Sequence, residues 1–489
     1  MFATVNAVVS NRPNVLFFFP DQYRHDWVGF DGDVPVKTPA LDSLAAEGVA
    51  FRNAVCPSPL CGPSRACLAS GYEYDRCGVR NHDADYPFAA PTYYEHLRDQ
   101  AGYHVIGCGK FDLQKHSGDW GLDGKNNLAA NGFSDGINNA GYWDAFGSAT
   151  DTWGGDSTYT GPNDPYMAYL DDQGFAETHI EDLRRRRWET GRDGPDIDAT
   201  FPTPLPAHAY CDNWIAHNGL ELLADAPEDR PWHLIVNFAG PHNPWDVTEE
   251  MYEWYRNPDV DFPERVEPGE MPSEKSQDVR RNYAAMCENY DRWLARYREH
   301  LKERGEWENT LVVFASDHGE MLGDRGQWNK RSPYHPSVGV PFVIAGPGIE
   351  SRGVVDEPAS VLDLHATLLD VAGVDPGDVD SRSLLPYLAG RTDNHRQVAH
   401  SGIGNWRLAL DERYKLIRGY DPDRSANEQV GECDAWSEAA TKNALGDRSP
   451  ILLNRHADPK ETENVADAHP GIVERLTESI TAVRGESSP

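Results

Sequence analysis

The run Cys61-Gly62-Pro63-Ser64-Arg65 offers the clearest opening for chemistry in this chain. Pro63 favours the first turn of a helix, where its missing N–H is no loss and its backbone angle is preset. Residue 61 then sits at the helix N-terminus, where free N–H groups and the dipole favour an anion. Arg65, one turn along, reaches the same place and can pair with a nucleophile or a bound oxyanion. A cysteine alone is more often a buried thiol than a reactive one, so the reading needs company. Two polar clusters supply it: Asp21-Gln22 and Ser316-Asp317-His318-Gly319-Glu320, each following an apolar run. Acidic groups at strand ends are usually caps or solvated turns. Two such clusters framing one nucleophile read instead as a place for a divalent ion with oxygen ligands, which acidifies a hydroxyl and neutralises an anionic substrate.

Residues 14–19 form a continuous apolar run of strand length that ends on Asp21-Gln22, which predicts a buried parallel strand with polar groups at its C-terminal tip. Open α/β sheets bind ligands at such tips. Thr38-Pro39 predicts a helix start. Further buried strands are predicted at 103–107, 233–237, 310–314 and 341–344, with helices at about 208–224, 276–304 and 360–372, an alternation that indicates a doubly wound architecture. Residues 118–205 are rich in Gly, Asn, Asp and aromatics with weak periodicity, which predicts long loops over the active edge. Trp120, Tyr142, Trp143 and Trp153 lie there and are expected to pack those loops before they stack on a sugar. We expect a catalytic domain over 1–390 and a C-terminal subdomain over 391–489, with short strands and a closing helix near 470–484.

The chain of 489 residues carries 45 basic and 79 acidic residues, a formal charge of −34 that repels nucleic acid and anionic lipid at long range. The same excess fits life at high salt. The 14 Trp, 21 Tyr and 16 Phe supply the bulk for a packed interior. No window approaches the roughly 18 apolar residues that cross a membrane, and the N-terminus shows no signal-peptide pattern, so the expectation is a cytoplasmic protein without a membrane partner. The eight cysteines show no metal-knuckle spacing and are expected to be thiols, not a disulfide framework.

Cys61 to Gly71 resembles the motif of the sulfatases, a family of the alkaline-phosphatase-like superfamily. The resemblance implies a large, mixed, mostly parallel sheet flanked by helices, with a smaller C-terminal α+β subdomain. It implies that a formylglycine-generating enzyme oxidises Cys61 to formylglycine, whose hydrated gem-diol attacks sulfur with one hydroxyl and expels sulfate with the other. Asp21, Gln22, Asp317 and His318, with residue 61, then correspond to the metal ligands. Ca²⁺ is the expected ion and Mn²⁺ or Mg²⁺ the alternates, imidazole suiting Mn²⁺ better. The family often has Asp-Asp and Asp-Asn where this chain has Asp-Gln and Asp-His, a variant similar to the branch of phosphonate monoester hydrolases and some choline sulfatases. Pro241-His242-Asn243-Pro244 is similar to the family's Pro-His-x-Pro, making His242 the expected general acid. Lys330 matches the Lys that stabilises the bridging oxygen. Gly109-Lys110-Phe111-Asp112-Leu113 is similar to Gly-Lys-Trp-His-Leu, so Lys110 is the expected sulfate contact. Asp112 replaces the usual His; it acts as a carboxylate base in its stead, or Lys115 or His116 fills the space. Residues 414–417 and 454–464 resemble the family's C-terminal strand and Asp-Pro-x-Glu-x-x-Asn ending. The implied activity is hydrolysis of a sulfate ester of a carbohydrate or small alcohol. A phosphonate monoester or phosphodiester hydrolase is the rival from the same site, and a non-catalytic metal-binding protein with unmodified Cys61 the rival from another class.

Overall fold

A computed structural model describes residues 12–189, 199–257, 259–424, 445–446 and 448–484. Its strands are β1 (Asn14–Phe18), β2 (Val49–Phe51), β3 (Ala54–Val55), β4 (His104–Gly109), β5 (Asp135–Asn138), β6 (Trp232–Asn237) and β7 (Thr310–Ala315), followed by β8 (Phe342–Ala345), β9 (Gly353–Val355), β10 (Ala359–Ser360), β11 (Ala399–Ile403), β12 (Trp406–Leu410), β13 (Tyr414–Arg418) and β14 (Ile451–Asn454). Eight of them form one sheet in the order β5-β4-β6-β1-β7-β8-β2-β9. The first five strands in that order run parallel, with Phe18 paired to Val236 on one side and Phe314 on the other. β8 runs antiparallel to β7 and β2, so the sheet is mixed but mostly parallel, as expected.

Strand β1 is apolar from Val15 onward because both its faces are covered. Leu16 and Phe18 join the core on one face, and Val15, Phe17 and Phe19 the core on the other. The long helix Ser273–Glu303 and the helix Cys211–Ala224 cover the first face; the helices Cys61–Ser70, Tyr93–Asp99 and Asp363–Val371 cover the second. Parallel strands share a C-terminal edge, so the loops after β1, β4, β6 and β7 all open on the same side.

Strands β11 to β14 make a four-stranded antiparallel sheet against which the helix Pro470–Val483 packs Leu476 and Ile480. Lys415 ties this sheet to the main body, its Nζ donating to Glu461 and, at 2.8 Å, to the Pro333 carbonyl.

The stretch 118–205 departs from the expected long loops. It contains β5 and the helices Tyr142–Ala149, Pro165–Asp172 and Ala176–Arg184. The start signal was present: Asp164 caps the second helix by accepting from the Met167 N–H at 2.8 Å, with Pro165 at its first position. Helices of eight or nine residues complete barely two turns, too few for a strong period. Of the aromatics there, Trp120 and Tyr142 are buried and Trp153 is half exposed.

The seven described cysteines are buried and unpaired as disulfides; Cys433 lies outside the described residues. Among the described residues, no helix is long and apolar enough to cross a membrane.

Glu73 follows the helix Cys61–Ser70 and stands 3.8 Å from Arg396 Nη1 and from His400 Nδ1. Burial pushes its carboxyl up to about 8 from an ordinary 4.5, although Arg396 pulls it down. A raised carboxyl pKa makes the folded state keep a proton that the unfolded chain has lost. The stabilisation is complete below the unfolded pKa and disappears as pH rises toward the folded one. Glu73→Gln keeps the shape without the titration, so melting temperature should fall less steeply between about pH 5 and 8 than in the parent. An unchanged slope in a melting series would place the titration elsewhere.

Candidate active site

The helix Cys61–Ser70 points its N-terminus at the edge where the parallel strands end, and every one of its residues is buried. Leu60 precedes it in extended conformation without a side-chain cap; Pro63 has no N–H, the Ser64 N–H bonds the Leu60 carbonyl and the Gly62 N–H faces His82 Nε2, which leaves the Cys61 N–H to an anion. Ser64 Oγ donates to the Asp317 carbonyl at 2.6 Å, fixing the helix to the loop after β7. Arg65 binds four strand ends together: Nε donates to Asp317 Oδ2 at 2.9 Å, Nη1 to the Lys110 carbonyl at 2.6 Å and to Asn237 Oδ1 at 2.9 Å, and Nη2 lies 3.5 Å from Asp21 Oδ2. Its guanidinium thus orients the carboxylates beside residue 61, whereas the sequence pointed to a direct contact with the nucleophile or sulfate.

Asp21, Cys61, Asp317 and His318 converge so that one ligand atom from each lies within 4.8 Å of the others, all buried. His318 Nε2 is 3.7 Å from Asp21 Oδ1 and 3.8 Å from Asp317 Oδ1. Its Nδ1 lies 3.0 Å from the Gly319 carbonyl, so that nitrogen carries the proton and Nε2 presents its lone pair to the cluster. Asp21 Oδ1 and His318 Nε2 have no hydrogen-bond partner, though both residues are wholly buried. Buried polar atoms left unpaired are costly, and two carboxylates, an imidazole and a nucleophile with orphaned atoms fit a divalent cation. Gln22 is turned elsewhere: its Oε1 accepts from Lys330 Nζ at 2.5 Å, while its Nε2 donates to Glu320 and, at 3.3 Å, to Asn329 Oδ1. Its backbone N–H donates to Asp317 Oδ1 at 3.0 Å from a left-handed conformation, φ 69°.

The electrostatics favour an anion at residue 61. Burial pushes the Cys61 thiol up, but Lys110, Lys330 and His82 outweigh it and hold the thiol well below its usual range. Lys110 Nζ pairs with Asp21 and lies 3.2 Å from Asp112 Oδ2, and Lys115 Nζ reaches the same oxygen at 3.3 Å. Asp112 is therefore a buried carboxylate between two ammonium groups. His242 follows β6, with Nδ1 2.7 Å from the Asn243 carbonyl. Burial and then Lys330 press its pKa down to about 3, so the free site holds a neutral imidazole.

A cavity of about 400 Å³ opens over residue 61, its walls including Lys110, Lys115, His242 and Lys330. His116 is exposed, leaving Lys115 as the nearer of the two residues considered alongside Asp112. Several wall residues had no motif to announce them: His82, Asp144, Arg187 and Trp328. His82 groups with Cys61 and Asp112 within 4.8 Å, and its Nε2 lies 3.5 Å from the Gly62 nitrogen at the start of the nucleophile helix. It comes from a loop of Asn, His and Asp residues that reads as an ordinary turn.

A family model described as Sulfatase matches residues 13–374. An arylsulfatase of Clostridium perfringens is 25% identical over 437 residues, covering 84% of this chain and 85% of its own. A choline-sulfatase of Rhizobium meliloti is 27% identical over 507 residues, with 98% and 86% covered. Among solved structures, the phosphonate monoester hydrolase of Agrobacterium radiobacter shares the fold with a TM-score of 0.73 at 22% identity, covering 97% of this chain and 96% of that one.

Proposed function

From the premise that this chain belongs to the sulfatase family and is a sulfuric ester hydrolase, we propose that residue 61, oxidised from cysteine to formylglycine, is its nucleophile and that Asp21, Asp317 and His318 hold a divalent ion beside it. The observation that carries this reading is the convergence of those three side chains on Cys61 at the uncapped start of a buried helix. Formylglycine supplies a hydrated aldehyde with two hydroxyls, and the ion lowers their pKa and neutralises the ester. Cys61 Sγ marks the position of the oxygens that would stand there.

The chain's own groups do the rest. Arg65 orients Asp317 and Asp21. Lys110 holds Asp21 and offers positive charge to the sulfate oxygens. Lys330, fixed by Gln22, stabilises the bridging oxygen as the alcohol leaves; His242, neutral in the free site, serves as the general acid only once the anionic ester raises its pKa. Gln22 serves the site through Lys330. His82 takes the place of the imidazole that Asp112 displaced, and Asp112 sets the field around it. His82→Asn should lower kcat on the order of 10²-fold with little change in KM, the range for loss of one proton-handling group. Steady-state kinetics giving parent values would remove His82 from the reaction.

The substrate we propose is the sulfate ester of a carbohydrate or a small alcohol. His318 in the ligand set keeps a phosphonate monoester as the rival reading. Protein co-expressed with a formylglycine-generating enzyme, assayed on 4-nitrophenyl sulfate and 4-nitrophenyl phenylphosphonate with Ca²⁺ or Mn²⁺, separates the two. A larger kcat/KM on the sulfate is expected; a larger value on the phosphonate would overturn the choice. Peptide mass spectrometry of residue 61 in the same protein tests the nucleophile: only unmodified thiol in active enzyme would refute formylglycine.

A further inference from the structure

Arg187 lies in a short π-helical turn, Arg185–Glu189, and lines the cavity that contains Cys61. Its guanidinium carbon sits 4.8 Å from the ring centre of Trp143, 4.7 Å from that of Trp153 and 5.3 Å from that of Trp188. The rings support one another edge to face, Trp143 and Trp153 at 6.4 Å and Trp153 and Trp188 at 6.0 Å. Among the described residues, Arg187 has neither a hydrogen bond nor a carboxylate partner, unlike Lys110 on Asp21, Lys115 on Asp144 and Lys330 on Gln22. A partly buried guanidinium with unused donors is a binding group awaiting an acceptor.

Two further features give that acceptor a charge. The cavity wall holds Lys110, Lys115, Arg187, Lys330 and Arg331 against the carboxylate of Asp144 and, behind Lys110 and Lys115, those of Asp21 and Asp112, in a protein whose net charge is −34. A cationic wall inside a strongly acidic molecule is a local reversal, and such a reversal attracts an anion that the surface as a whole repels. Three tryptophans around a cation also form the kind of cage that takes a quaternary ammonium, but here Arg187 occupies it. The cage is thereby closed to a cationic alcohol and turned into a rigid mount for a fork of N–H donors.

We propose that this cavity takes a sulfate ester whose alcohol carries a second anionic group, a carboxylate or a further sulfate, and that Arg187, braced by Trp143, Trp153 and Trp188, binds it. The inference rests on the sulfatase reading and narrows its substrate class. A carbohydrate bearing both groups meets the requirement; a choline-type ester does not.

Three aryl sulfates with closely matched leaving groups test it, phenyl sulfates carrying a para carboxymethyl, hydroxymethyl or trimethylammoniomethyl group, with released sulfate measured by ion chromatography. The parent enzyme should prefer the carboxymethyl ester to the hydroxymethyl ester by about tenfold in kcat/KM, the scale of one charge-assisted contact, and should handle the trimethylammonium ester worst. Arg187→Gln should bring the carboxymethyl-to-hydroxymethyl ratio close to unity. Arg187→Lys keeps the charge without the fork and should retain part of the preference, and it settles the attribution where the glutamine variant does not fold. Hydrolysis of all three without charge preference, or a preference that survives Arg187→Gln, would overturn the inference and leave the sulfatase reading standing. Hydrolysis of none would count against that reading, and this inference would fall with it.

Discussion

Cys61→Ser is expected to accept one sulfuryl group and then stop. A serine at the start of the helix Cys61–Ser70 has a hydroxyl where Cys61 has its sulfur, beside the same carboxylates and lysines. It can attack sulfur, displacing the alcohol and forming a sulfated serine. It has no second hydroxyl whose deprotonation would expel sulfate, so release waits on water from outside. Rapid-quench measurement should show alcohol appearing to at most one equivalent, followed by turnover slower on the order of 10⁴-fold, as for removal of a covalent nucleophile. The peptide containing residue 61 should carry the added sulfuryl mass. Cys61→Ala should show neither burst nor adduct. The fold should survive both changes, because the helix is anchored by Ser64 on the Asp317 carbonyl and by Arg65 on four strand ends. A serine variant that turns over at the parent rate would remove the aldehyde from the mechanism.

The parts of this site that could be read from the chain are those carried by the ends of apolar strands. Residues 14–19, 233–237 and 310–314 announced β1, β6 and β7 by their apolar runs Val15–Phe19, Leu234–Val236 and Leu311–Phe314. A parallel sheet then places whatever follows each strand, Asp21, His242 and Asp317-His318, on one edge. Cys61 was legible for the same reason of local grammar, since Pro63 and Gly71 bracket a helix whose first residue is the candidate. Partner choice within that edge was not legible. Arg65, expected to pair with the nucleophile or the sulfate, clasps Asp317, Asn237 and the Lys110 carbonyl; Gln22, expected on the ion, holds Lys330. Those pairings are decided by a few ångströms of tertiary geometry, which residue spacing does not encode.

The residues missed altogether come from segments without a long period. His82 lies in an irregular loop, and Arg187 in a π-helical turn after two short helices. His82 has no neighbour in sequence that shares its task, and Arg187 has one, Trp188. Arg187 acquires its surroundings from Trp143 and Trp153, more than thirty residues upstream, and His82 acquires its from Cys61 and Asp112 on two other elements. A resemblance that carries the reaction thus leaves the choice of alcohol to residues outside the shared motifs, which is where loops and short helices can vary without disturbing the strand ends.

Chelation of divalent ions should abolish ester hydrolysis, with a fall in kcat/KM on the order of 10³-fold or more, and should lower the melting temperature as well. The reason lies in unpaired atoms: Asp21 Oδ1 and His318 Nε2 are buried without partners. An ion that binds only the folded chain adds stability that grows with its concentration, about 2.7 kcal/mol at a hundredfold excess over Kd. Mn²⁺ should restore activity better than Ca²⁺, the ion first expected from the sequence, because His318 brings an imidazole into the ligand set. Among single substitutions, His318→Ala isolates the ion most cleanly. Asp317 also anchors Arg65, so Asp317→Asn would leave a buried guanidinium underpaired, and Asp21 likewise holds Lys110. His318, by contrast, gives up one lone pair directed at the cluster and one contact with the Gly319 carbonyl. His318→Ala should therefore lose activity to the same extent as the chelated parent and lose the rise in melting temperature with Mn²⁺, while its melting temperature without added ion stays near that of the chelated parent. Full activity after exhaustive chelation, or a melting temperature indifferent to divalent ions in the parent, would exclude the ion from Asp21, Asp317 and His318.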